Sequence, residues 1–183
     1  MPFLFLIFVI ANVKSQEKIG LNLKTNLLNL AAKRPSFSVE KMIKQYYGLE
    51  FSYSSGELNW GRHYRYDGFL LRAKRYVSEI RTNEAIPFFG IYAGNLNKKI
   101  ISNNAYTHPT GYLSFGNDRN FKANSIRSGV NAGVLYLPAK RILLEVTTGG
   151  GYGKYFNIES FEEKKPPKGY VDFQLWLSAG YSF

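Results

Sequence analysis

The sequence predicts an all-β fold: an antiparallel up-and-down transmembrane β-barrel of about eight strands. Three observations predict it. Apolar and polar residues alternate at period two in one segment after another, and the charged residues of those segments fall on one face of the alternation. Aromatic residues make up 16% of the chain, with 14 Tyr and 14 Phe, more than a water-soluble core uses. Period-two alternation is the mark of a strand with one apolar and one polar face.

The elements follow in order. Residues 3–11 form an unbroken apolar run, inside the range of about 7–15 for a secretory h-region. Ser15 is a small residue suited to cleavage, so 1–15 is expected to be a signal peptide and 16–183 a single outer-membrane barrel domain. No Lys or Arg precedes the run. Residues 19–31 then alternate Leu21, Leu23, Thr25 and Leu27 against Asn22, Lys24, Asn26 and Leu28. Phe37, Val39 and Ile43 oppose Ser38, Glu40 and Met42. Tyr47, Leu49, Phe51 and Tyr53 oppose Gly48, Glu50 and Ser52. Phe69, Leu71, Ala73 and Val77 oppose Leu70, Arg72 and Lys74. The segment at 85–94 is weaker, because Pro87 cannot donate to a ladder and implies a bulge or strand end. Ile126, Val130, Ala132 and Val134 oppose Arg127 and Asn131, and Ile142, Leu144 and Val146 oppose Leu143, Glu145 and Thr147. The last segment sets Val171, Phe173, Leu175, Leu177, Ala179, Tyr181 and Phe183 against Asp172, Gln174, Trp176 and Ser178.

Connections alternate in length. Those at 44–45, 81–84 and 138–141 are tight; those at 54–66, 96–124 and 156–169 are long and polar, and only the first, at 33–35, is short. Short turns at one end and long loops at the other describe an outer-membrane barrel with both termini periplasmic. A soluble lipocalin-like barrel also has eight strands, but its apolar faces point inward. Charge parity separates the two. Lys24, Glu40, Glu50, Arg72, Lys74, Arg127, Glu145 and Asp172 all share the polar face, four cations against four anions. They are expected to form a paired network in a narrow lumen. Lys41 and Arg75 fall on the apolar face near strand ends, where long side chains reach the interface. Tyr47, Tyr53, Phe69, Phe88, Tyr92, Tyr136, Tyr152, Phe173, Tyr181 and Phe183 are expected in aromatic girdles at the two interfaces. The final strand is expected to close the barrel, with Tyr181 and Phe183 resembling the terminal aromatic signal read by the barrel-assembly machinery.

The stretch Lys24-Thr25-Asn26-Leu27-Leu28 resembles a motif of an uncharacterised family of small outer-membrane barrels of Bacteroidetes-type bacteria, domain-of-unknown-function family 3575. Phe37-Ser38-Val39-Glu40-Lys41 resembles that family's second strand, and residues 149–155 its glycine-aromatic penultimate strand. The resemblance implies a fold and a location; it supplies no activity.

Chemical motifs are sparse. Cysteine is absent, which excludes disulfides, thiolate chemistry and a Cys-based zinc site. Residues 149–154 read Gly-Gly-Gly-Tyr-Gly-Lys, but Thr148 and Tyr155 stand where a phosphate loop needs Gly and Ser or Thr. Glycines in a barrel strand relieve crowding instead. His63 and His108 fall in expected outer loops. His63 has Asp67, Ser54 and Ser55 near it in sequence, the ingredients of a lipid-modifying enzyme of lipid A deacylase or acyltransferase type. No cofactor, metal or nucleic-acid partner is expected.

The formal net charge is +11. Trp60, Arg62 and Arg65, with Lys98, Lys99, Arg119 and Lys122, place cations and aromatics in the expected outer loops. The expected function is therefore a structural or interaction barrel, a monomer of the outer membrane. Its loops are expected to bind lipopolysaccharide or another anionic extracellular partner.

Overall fold

The computed structural model describes residues 20–31, 33–59, 62–102, 120–161 and 168–183; the expected signal peptide lies outside them. The strands are β1 (Leu21–Asn26), β2 (Ser36–Lys44), β3 (Tyr47–Asn59), β4 (Arg62–Tyr76), β5 (Ala85–Ser102), β6 (Phe121–Ala139), β7 (Ile142–Ser160) and β8 (Gly169–Ser182). A helix, α1 (Leu27–Ala31), separates β1 from β2. Each strand pairs antiparallel with its sequence neighbours, and β8 returns to β1 to close the sheet. The closing register runs from Asn22↔Ser182 to Asn26↔Ser178. Among the described residues no helix is long and apolar enough to cross a membrane. The crossing elements are strands, whose backbone groups closure satisfies.

Side chains obey the pleat. Along β2, Ser36, Ser38, Glu40 and Met42 turn inward, and Phe37, Val39, Lys41 and Ile43 outward. The same inversion runs around the ring: Phe51, Leu71, Ile91, Val130, Val146 and Phe173 form an exposed apolar belt, while Lys24, Glu40, Glu50, Arg72, Lys74 and Glu145 are buried inside. This is an inside-out barrel, with an exterior suited to hydrocarbon. Arg75 faces outward with its guanidinium over the Phe89 ring, 5.8 Å from the centroid.

Inside, the lumen is filled in layers. At the end with short turns, Met42, Tyr76, Ile86, Phe88, Leu135, Leu137 and Leu143 form an apolar plug. The charged layer lies above it. Toward the end with long hairpins, Phe121, Ala123 and Tyr155 cluster with Ile100, Ile158 and Tyr170.

The structure departs from the sequence reading in three places. First, the segment at 19–31 is not one strand: β1 stops at Asn26, whose Oδ1 accepts from the Leu28 amide at 3.1 Å and starts α1. Asn competes for local backbone donors in this way. Second, Phe88 and Tyr92 are not girdle residues. Both turn into the lumen, where Phe88 packs on Tyr76 and the Tyr92 hydroxyl donates to Asp172. Gly151 makes room for Tyr92: a Cβ there would lie 2.5 Å from the hydroxyl. Third, much of the expected loops is strand. Pairing continues to Asn59↔His63, Ile100↔Phe121 and Phe121↔Ser160. Strands β5, β6 and β7, at 18, 19 and 19 residues, far exceed the roughly 9–11 a tilted strand needs to cross a bilayer. Above the belt the alternation inverts: Phe121, Ala123 and Tyr155 turn inward while Lys99 and Lys122 stand exposed outside, so the pattern no longer reads as a strand with an apolar outer face. The Gly-rich stretch at 149–154 lies within β7.

The belt makes a direct prediction. Ile91 is 63% exposed in its middle, so Ile91→Arg should lower stability in lipid vesicles by about 2–4 kcal/mol. The same change at Ile101, above the belt, should cost little. Urea titration of both variants by tryptophan fluorescence checks the contrast.

Candidate functional site

Two constellations stand out, one in the lumen and one on the long-hairpin exterior. In the lumen, β1, β2, β3, β4 and β7 each send a charged side chain to the same height. Lys24 Nζ donates to Glu40 at 2.7 Å and Glu145 at 2.9 Å, and also to Glu50. Lys74 Nζ donates to Glu145 at 2.7 Å and to Glu50. Arg72 donates to Glu50 at 2.6 Å and lies over the Trp176 ring, 4.1 Å from its centroid. The Tyr76 hydroxyl donates to Glu40 at 2.6 Å, and Thr147 to Glu145 at 2.9 Å. Carboxylate oxygens of Glu40, Glu50 and Glu145 lie within 4.8 Å of one another. Such a donor set suits a hard cation, but here two lysine ammoniums neutralise it. A second, smaller group sits above: Arg127 pairs with Asp172 at 3.3 Å, and Asp172 also accepts from Tyr92 and Gln174.

All eight lumen residues singled out from the sequence are therefore buried inside the barrel, in two groups. Of their uncharged supports, Thr147 and Gln174 were read on the polar faces, Tyr92 was expected in a girdle, and Tyr76 was not singled out. Parity was the available signal: Tyr76 is in step with Arg72 and Lys74, and Gln174 with Asp172.

On the exterior, continued pairing lines up one side chain from each of five strands. Glu57 lies opposite Arg65, Arg65 opposite Lys99, Lys99 opposite Lys122, and Lys122 opposite Glu159. Three adjacent cations thus stand side by side, exposed, at the centre of one row. Like charges directly opposite on neighbouring strands repel. Glu159 gives Lys122 a loose partner at 3.5 Å.

The other expected outer-loop residues divide. Lys98 sits in β5 but faces inward, its ammonium 3.3 Å from the Tyr170 ring centroid. Trp60 and Arg119, the Arg62 side chain and His108 lie outside the described residues. His63 pairs with Glu57, Nε2 to Oε1 3.0 Å, rather than with Asp67, which accepts from Asn97. Ser54 is buried toward the lumen. Among the described residues no hydroxyl is hydrogen-bonded to His63, whose partner is the Glu57 carboxylate. Tyr181 and Phe183 pack edge to face with centroids 4.8 Å apart, and the Phe183 amide donates to the Leu21 carbonyl.

An apolar exterior around a polar, ion-paired lumen defines a small membrane β-barrel. The chain belongs to the family described as a protein of unknown function (DUF3575), whose profile matches residues 2–171. Curated protein sequences give no match. Among solved structures it is similar to Neisserial surface protein A (NspA), at 12% identity and a TM-score of 0.47, covering 89% of this chain and 90% of that one.

The lumen layer predicts a specific pattern of damage. Lys74→Met leaves buried carboxylates uncompensated and should cost about 3–5 kcal/mol. Adding Glu145→Gln to it should restore part of that loss, because the pair shares one contact. Urea unfolding of the two single variants and the double variant measures the coupling.

Proposed function

We propose that this protein is an outer-membrane barrel that acts as an anion-binding surface and does not conduct solutes, with lipopolysaccharide as its first partner. The observation that carries the reading is the row Arg65, Lys99, Lys122, three exposed cations in register on adjacent strands. Their mutual repulsion is relieved when an anion bridges them, so the row favours a polyanionic partner. Lys33, Arg34, Lys154 and Lys168 are exposed at the same end and extend the positive field. Lipopolysaccharide presents phosphates just above the apolar belt; an extracellular glycan or protein of negative charge is the second partner class. The plugged lumen supports the non-conducting part of the reading, since an eight-stranded barrel is filled by its own side chains.

The same reading assigns the protein to the outer membrane, as a monomer folded by the barrel-assembly machinery after export, with the long hairpins facing outward. The apolar belt, the closed sheet and the asymmetry of the two ends support it. The His63–Glu57 pair favours a second reading, a lipid-modifying enzyme, for which the described residues supply no hydroxyl partner.

Four measurements test these readings. Arg65→Gln/Lys99→Gln/Lys122→Gln should assemble normally and bind lipopolysaccharide about tenfold or more weakly, because charge-assisted contacts are lost. Wild-type binding should weaken as salt rises, since exposed charges are screened over about 8–10 Å; salt-independent binding would reject the row as the contact. Planar-bilayer recording should show no steady conductance, and a stable open channel would overturn the non-conducting assignment. His63→Ala should leave lipid A acylation unchanged by mass spectrometry; a loss would favour the enzyme.

A further inference from the structure

The barrel wall is not uniform. Pairing of β1 with β8 ends at Asn26↔Ser178, and pairing of β2 with β3 ends at Ser36↔Ser54. Above those points β8 is paired with β7, and β3 with β4. Only α1 and the turn after it stand between the two free edges. Asn29 ties α1 to the β3 side, its Nδ2 donating to the Ser55 carbonyl at 2.8 Å. On the β8 side, Asn26 Oδ1 accepts from the Leu177 amide at 3.1 Å. The Phe183 amide also points toward β1. Backbone groups alternate along a strand, so Leu175, Phe173 and Val171 direct theirs to the same side, beyond the end of β1.

A cavity of about 340 Å³ opens at this seam, within the range of about 300–1,000 Å³ for small-molecule sites. Its lining includes inward residues such as Lys98, Arg127 and Trp176, and also the outward residues Val171, Phe173 and Leu175. Consecutive residues of β8 from Tyr170 to Trp176 line it, so the cavity lies against the β8 backbone beside the free edge. Val171 and Phe173 are 82% and 74% exposed, apolar rails on the outside of the same opening. Leu28 and Leu30 of α1 are exposed on its other bank.

Inside, the charge is unbalanced. Asp172 is engaged by Arg127, Tyr92 and Gln174. Arg127 Nε is buried without a hydrogen-bond partner. Among the described residues no carboxylate pairs with Lys98, which rests on Tyr170 and reaches the Tyr155 hydroxyl at 3.5 Å. A free strand edge beside hydrocarbon is costly unless a polar group covers it.

We propose that this seam is a lateral binding site for an anionic amphiphile, whose phosphate enters the cavity toward Lys98 and Arg127 while its alkyl chain lies outside along Val171, Phe173 and Leu175. The site uses none of the exterior cation row and stands independently of that reading.

The chain has two tryptophans, and Trp176 lines the cavity. A Trp60→Phe variant in phosphatidylcholine nanodiscs makes Trp176 the sole reporter. Dodecyl phosphate should shift its emission saturably, and dodecanol should not. Inorganic phosphate, lacking the chain, should bind about tenfold or more weakly. Lys98→Gln should weaken dodecyl phosphate by about tenfold or more, and Lys98→Arg should retain it, with folding of each checked by heat-modifiable migration. Equal binding of inorganic phosphate, or an unchanged affinity in Lys98→Gln, would overturn the seam. Arg65→Gln/Lys99→Gln/Lys122→Gln should bind dodecyl phosphate normally; a loss confined to that variant would assign the ligand to the exterior row instead.

Discussion

Two lysine ammoniums can lie at the centre of this barrel only because three glutamates from three other strands meet them there. Lys24 on β1 and Lys74 on β4 are shared among Glu40, Glu50 and Glu145 on β2, β3 and β7. Each charge is tolerable through the others, and each fixes the inward parity of its own strand. A one-residue slip of any of these strands would turn a charge toward hydrocarbon and its apolar neighbours into the lumen. The layer thus acts as a register lock for most of the circumference.

The polarity of the rest follows from that layer. With charges paired inside, the apolar residues of every strand are left outside, where lipid rather than water solvates them. Below the layer, the apolar plug of Met42, Phe88, Leu135 and Leu143 closes the short-turn end. The surface that differs from a plain belt is the long-hairpin end.

That end is asymmetric, and the asymmetry has one origin. β5, β6 and β7 run far past the belt, whereas β1 stops after 6 residues and α1 takes its place. Extension on one side brings Arg65, Lys99 and Lys122 into register above the belt. Early termination on the other leaves the edges of β3 and β8 without a strand between them. Asn26 sits at the junction, capping α1 and receiving the Leu177 amide at once.

Sequence by itself determined the barrel, because period-two alternation is local and needs no knowledge of what lies opposite. It also determined which charges turn inward, since parity along a strand is counted residue by residue. The weaker segment at 85–94 failed on this count: Pro87 interrupted the reading, and Phe88 and Tyr92 were placed on the lipid side. Strand ends above the belt were not legible either, because there apolar residues such as Phe121 and Ala123 turn inward and polar ones outward, the reverse of the pattern below. Only the tertiary structure decided which charges meet. Lys24 and Glu145 are 121 positions apart, and their contact depends on closure and on the register of every strand between them. The cation row and the seam are of the same kind. One is set by which residues stand opposite across strands, the other by where two pairings stop, and neither is a property of any single segment.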